Sequence, residues 1–173
     1  MPTAKAKPIR LLLVDDHEVV RVGLRTVLHN NQGIIVVGEA GTKAAAMRAV
    51  KRLRPDIVLM DVRLSDGSGV DACRAVLASY PMTRIIFLTS FADDESVLAA
   101  VLAGAQGYVL KNIDASLLVR SIRTVFNGQS ILYPDLTRRV LSWSKTRPTQ
   151  ALPAKNNPLL LKKSASWHCW PKV

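Results

Sequence analysis

The sequence predicts an α/β fold: a five-stranded parallel sheet with helices on both faces, followed by an irregular C-terminal tail. Over the first 127 residues, five short β-rich apolar runs alternate with five stretches whose apolar residues recur at three- and four-residue spacing. The runs are nearly continuous in apolar residues, as strands covered on both faces must be. Regular strand–helix alternation is in turn the pattern of parallel connections.

Ile9–Val14 is the first run, and Val20, Leu24, Val27 and Leu28 form the helical stripe behind it. Ile34–Gly38 follows, then a stripe of Ala46, Val50 and Leu53 that Pro55 stops. The third run, Ile57–Met60, leads to Val70, Cys73 and Leu77, with Pro81 as the stop. Arg84–Leu88 is fourth; Asp93 is the expected N-cap for Val97, Ala100 and Val101, and Gly104 ends that helix. Gly107–Leu110 is fifth, with Asp114 as N-cap and Leu118, Ile122 and Val125 as the last stripe. "YPDLTRRVLSWS" (133–144) predicts one more short helix. After Ser144 the chain is proline-punctuated and aperiodic and predicts no structure. The expected organisation is an N-terminal extension (1–8), one domain (9–127), a short helix or linker (128–144) and a disordered basic tail (145–173).

The chain has 173 residues, 49% of them apolar, and a net charge of +11. That charge is unevenly spread. Residues 137–173 hold eight Lys or Arg and no Asp or Glu, leaving sixteen basic and thirteen acidic residues for positions 1–136. Such a tail suggests nucleic-acid contact, but a charged, poorly ordered segment is the favoured reading. The apolar runs are too short to span a membrane, and "MPTAKAKP" has no apolar signal-peptide core behind its charges. A cytoplasmic protein is the expectation; Cys73 and Cys169 lack metal-ligand spacing, and a reducing cytosol would keep them as thiols.

Ligands of open parallel sheets bind at the carboxyl ends of the strands. Here those ends carry Asp15 and Asp16, Asp61, Thr89 and Ser90, and Lys111. Three carboxylates in one crevice repel each other without a cation, and hard oxygen donors suit Mg²⁺. One carboxylate can then act as nucleophile toward a phosphoryl group, while metal and lysine neutralise the transferred charge. The Thr89 hydroxyl can hydrogen-bond the product. His17 reads as a surface residue at a helix start, since Mg²⁺ prefers oxygen, and Cys73 reads as core. Asp66 reads as a turn residue, with Gly67 and Gly69 supplying backbone freedom.

"LLLVDDHEVVRVGL", "PDIVLMDVRLSDGSGVD", "IIFLTSFADDE" and "AGAQGYVLKN" resemble the receiver domain of bacterial two-component response regulators, in wording closest to the NarL/FixJ (LuxR-type) subfamily. The resemblance implies a flavodoxin-like receiver over 9–127. It makes Asp61 the phosphoacceptor, and has Asp15, Asp16, Asp61 and the backbone carbonyl of Arg63 hold Mg²⁺. It pairs Lys111 with the phosphoryl group and makes Thr89 and Tyr108 the switch residues. Asn112 stands where many receivers have proline after the lysine. The implied donor is a sensor histidine kinase, the implied location of a homodimer or heterodimer contact is the Asp93–Leu118 face, and the implied chemistry is self-catalysed phosphorylation and dephosphorylation, not enzymatic turnover. A haloacid-dehalogenase-type hydrolase would need "DxD" after the first strand, where this chain has "DDHEV".

NarL-type regulators continue into a LuxR-type DNA-binding domain that opens with words like "LTPQEERVLALLAEG", which the tail lacks. Read one frame over, however, the codons of Trp167-His168-Cys169-Trp170 and Pro171 must give Ala-Leu-Leu-Ala whichever synonyms are used. The expectation is therefore a receiver whose tail is an out-of-frame remnant of such a domain, with DNA binding doubtful. The alternative is a DNA-binding transcriptional regulator of the NarL/FixJ type using its basic C-terminal region.

Overall fold

The computed structural model describes residues 7–90 and 93–132. The helix expected over 133–144, the tail from 145 and most of the N-terminal extension lie outside the described residues. Along the chain run β1 (Ile9–Val14), α1 (Glu18–His29), β2 (Ile34–Ala40), α2 (Lys43–Leu53), β3 (Ile57–Met60), β4 (Arg63–Leu64), β5 (Gly67–Ser68) and α3 (Gly69–Ser79). β6 (Arg84–Thr89), α4 (Asp94–Leu102), β7 (Gly107–Leu110), α5 (Ala115–Phe126) and β8 (Ile131–Leu132) complete it.

The main sheet is parallel in the order β2-β1-β3-β6-β7-β8. It contains the five expected strands plus β8, a two-residue edge strand inside the segment expected to be helix or linker. β8 pairs Ile131 with Gly107 and Leu132 with Tyr108. β2 also runs two residues further than its apolar run suggests. Gly38 and Glu39 interrupt that run, but a register shift between Leu11 and Leu12 carries the pairing on to Ala40. Glu39 keeps its charge at the surface by pairing with Arg21 and Arg25 of α1.

Side chains of successive strand residues point to opposite faces, so the sheet builds two cores. Leu12, Val14, Val58, Met60, Ile85, Phe87 and Tyr108 pack with α2, α3 and α4 residues such as Val50, Cys73 and Val97. Leu11, Leu13, Ile57, Leu59, Ile86, Leu88 and Val109 pack with Leu28 of α1 and Leu118, Ile122 and Val125 of α5. Each large side chain so buried contributes roughly 1.5–3 kcal/mol. Helix ends follow ordinary capping: Thr42, Ser68 and Asp93 accept from Ala45, Val70 and Ser96 backbone N–H groups. Asp114 occupies its N-cap position without a side-chain capping bond.

Two glycines next to the upper end of β3 are required for different reasons. Gly67 has φ +142°, the freedom expected of it in the β4–β5 hairpin. Gly69 does not need that freedom. A Cβ there would lie 2.0 Å from the Asp61 carbonyl oxygen, so the residue is small because α3 starts directly against the end of β3. Gly69→Ala is expected to destabilise the domain by about 1–3 kcal/mol; an unchanged urea midpoint would count against this close approach. Cys73 is fully buried, and that burial pushes its thiol up to about 11. Roughly one Cys73 thiol in a thousand is then ionised at pH 8. Peptide mapping after treatment with a thiol reagent should find Cys73 unmodified in the native protein and modified once it is unfolded in denaturant.

Candidate functional site

The strand order reverses at β1 and β3, and their carboxyl ends open a crevice between diverging connections. Asp15 follows β1 directly, and its N–H donates to the Ala40 carbonyl (3.1 Å). Asp61 follows β3 directly, and its N–H donates to the Val14 carbonyl (2.8 Å). Backbone pairing that continues past both strands thus holds the two acids side by side. Both are almost wholly buried, Asp15 at 3% and Asp61 at 5% exposure.

Lys111 reaches them from the end of β7. Its N–H donates to the Thr89 carbonyl (2.8 Å), which carries the β6–β7 pairing one residue further and aims the side chain into the crevice. The ammonium lies 2.7 Å from Asp15 Oδ2 and 2.6 Å from Asp61 Oδ2. Burial works against its charge, but the hydrogen bonds to Asp15 and Asp61 outweigh that and hold its pKa above the ordinary lysine value.

Asp16 and His17 complete the rim. His17 N–H donates to Asp15 Oδ1 (2.9 Å), and its exposed ring places Nδ1 2.8 Å from Asp16 Oδ1. The ring contact lacks hydrogen-bond alignment, so Asp16 Oδ1 is screened from water with no hydrogen-bond partner. The ligand atoms of Asp15, Asp16, His17 and Asp61 lie within 4.8 Å of one another. An orphaned carboxylate oxygen beside two further carboxylates is the donor chemistry of a hard divalent cation, so the residues present fit Mg²⁺. His17 is, as expected, an exposed residue at the start of α1; its ring nevertheless reaches both acids, offering nitrogen to a site dominated by oxygen.

Arg63, Thr89 and Tyr108 stand on β4, β6 and β7. The Arg63 N–H is 3.4 Å from Asp61 Oδ1. Thr89 is fully buried at the end of β6. Tyr108 is buried in the core, its ring tilted against Phe87 at 6.3 Å between centroids. Burial, then the charges of Asp93 and Asp61, push its phenol well up from the usual tyrosine value. On the Asp93–Leu118 face, Leu110, Asn112, Ile113, Asp114 and Leu117 line a mostly apolar cleft of about 300 Å³.

Two contributors had no signal in the motifs. Arg21, on the first turns of α1, donates from Nη1 to the Asp15 carbonyl (2.6 Å) and from Nε to Glu39 (3.3 Å). Asp66, expected only to form a turn, accepts from the N–H groups of Lys43 and Ala44 at the start of α2.

Residues 11–123 match the response regulator receiver domain family. The chain is 48% identical over 124 residues to the DNA-binding transcriptional activator DevR/DosR of Mycobacterium tuberculosis, covering 72% of this chain and 57% of that one. It therefore spans little more than half the length of that relative. A LuxR-family two-component response regulator from Aurantimonas sp. SI85-9A1 superposes with a TM-score of 0.75 at 33% identity, over 80% of this chain and 99% of that one. The signal receiver domain of the putative response regulator NarL from Mycobacterium tuberculosis gives 0.69 at 28% identity, over 71% and 99%. Among the described residues no helix is long and apolar enough to cross a membrane. With its parallel sheet, its crevice of paired carboxylates and lysine, and these matches, the chain belongs to the response regulator receiver domain family.

Proposed function

We propose that this chain accepts a phosphoryl group on Asp61 from the phosphohistidine of a sensor histidine kinase and changes its surface in response. The observation that carries this reading is the Lys111 ammonium held between Asp15 and Asp61, beside the unpartnered oxygen of Asp16. A carboxylate oxygen of Asp61 attacks phosphorus, the P–N bond to the donor imidazole breaks, and the imidazole leaves with the electron pair and takes up a proton. Lys111 offsets the negative charge gathered on the phosphoryl oxygens. Mg²⁺, held by Asp15, Asp16, Asp61 and the Arg63 carbonyl, would neutralise charge shared between carboxylates and phosphoryl group. Burial of Asp61 keeps the new acyl phosphate from bulk water. Hydrolysis by the protein's own residues returns it to the starting state, without turnover of a free substrate.

Phosphorylation adds about −1.5 to −2 charge beside Thr89. The hydroxyl of Thr89 turns to the phosphoryl group, and Tyr108 follows into the space it leaves. α4, β7 and the start of α5 repack, so the Asp93–Leu118 face, with exposed Leu102 and Leu117, is the surface for a partner or second copy. A second reading rests on the charge of residues 137–173. If these residues bind DNA, gel shifts should show salt-sensitive binding to specific and scrambled duplexes alike, as phosphate contacts require. The out-of-frame origin of the tail is tested by the gene. The shifted frame should continue into an open helix-turn-helix pattern, and a frame that closes at once ends the idea.

Mg²⁺-dependent labelling of the wild type should fall to background in Asp61→Asn; labelling at full yield in that variant refutes the assignment. Lys111→Met leaves two buried carboxylates facing each other without a cation, a loss on the order of 3–5 kcal/mol. Urea unfolding should show that deficit in chelator and a smaller one with Mg²⁺ present. An equal deficit in both conditions would show that the carboxylates do not take up the metal.

A further inference from the structure

We propose that Asp66 is a positioning residue for this acceptor site, clamping the loop after Asp61 onto the start of α2. The inference rests on the roles given above to Asp61 and to the metal-binding carboxylates. Asp66 stands in the turn of the β4–β5 hairpin, and each of its oxygens takes a backbone N–H of another element. Lys43 N–H donates to Oδ1 (2.6 Å) and Ala44 N–H to Oδ2 (3.1 Å), while Thr42 takes the third, from Ala45 (3.1 Å). These are the N–H groups that a helix leaves without internal partners. α2 has no acidic residue in its own first turn and begins with a lysine. The anion that its N-terminal dipole favours is therefore supplied from a different loop. The Lys43 and then the Ala44 N–H hold the Asp66 carboxyl below the usual carboxylate range. Ser65 Oγ adds a longer bond to the Gly41 carbonyl (3.4 Å).

Gly41 gives this clamp its reach. A Cβ at Gly41 would lie 3.5 Å from Arg21 Nη1 and 3.8 Å from the Asp15 carbonyl oxygen, the two atoms that bond to each other. The β2–α2 loop thus has room beside the backbone of Asp15, to which it is joined through the bond from Asp15 N–H to the Ala40 carbonyl (3.1 Å), directly before Gly41. The hairpin itself begins at Arg63, two residues after Asp61. Asp66 thus ties the loop that carries Asp61 and Arg63 to the loop that carries Asp15 and Asp16. Mg²⁺ demands near-octahedral oxygen geometry, with tolerances of about a tenth of an ångström. The registration of these two loops consequently sets its affinity.

The test compares Asp66→Ala with Thr42→Ala in the full chain, titrating Mg²⁺ alone and following amide NMR shifts around the crevice. Both substitutions uncap α2, but only the first frees the hairpin. Asp66→Ala should raise the Kd for Mg²⁺ about tenfold, the scale of an outer-shell loss, while Thr42→Ala stays within about twofold. Asp66→Asn, which keeps one accepting oxygen, should recover part of the affinity and serves if the alanine variant does not fold. Equal weakening in Thr42→Ala would overturn the clamp in favour of general fraying of α2. A folded Asp66→Ala with wild-type affinity would overturn it alone. A wild type that does not respond to Mg²⁺ would overturn the proposed function and the clamp with it.

Discussion

Two buried carboxylates sharing one lysine is the constraint to which the rest of the molecule answers. Asp15 and Asp61 could not stand side by side in a nearly dry crevice without a cation between them. Lys111 supplies it from a third strand, so the site exists only when β1, β3 and β7 are in register at their upper ends. The register is itself a consequence of the fully buried strands beneath, whose apolar side chains fix each strand to both helical layers. The charged centre and the two cores are thus one cooperative arrangement.

The same arrangement explains which features were legible in the sequence. The bounds of β1, β3 and β7 coincide with their apolar runs because these strands have helices on both faces and are buried over nearly their whole length. β2 lies at the sheet edge, where Glu39 can stay charged by meeting Arg21 and Arg25, so its polar end concealed two residues of strand. β4, β5 and β8 have two residues each, too few for any periodicity to register.

The carboxylates and lysine were legible because chemistry and strand-end position coincide in them. The groups that hold them were not. Arg21 and Asp66 act on backbone atoms of Asp15, Lys43 and Ala44, and a backbone carbonyl or N–H has no sequence signature. Gly69 was read as a turn glycine, whereas its role comes from an approach across the hairpin that only the folded chain reveals. Side chains that do chemistry announce themselves by type; those that hold geometry are known only by where the chain returns.

β8 has a consequence out of proportion to its two residues. Leu132 pairs in register with Tyr108, and β8 runs parallel to β7, toward the end of the sheet that holds the acids. β8 therefore ends beside the aromatic residue, on the outer side of β7. A shift of β7 reaches β8 through backbone ladder bonds, with no side-chain relay between them. Mechanically, β8 is a short lever mounted on the strand that carries Tyr108, and it follows any displacement at its root.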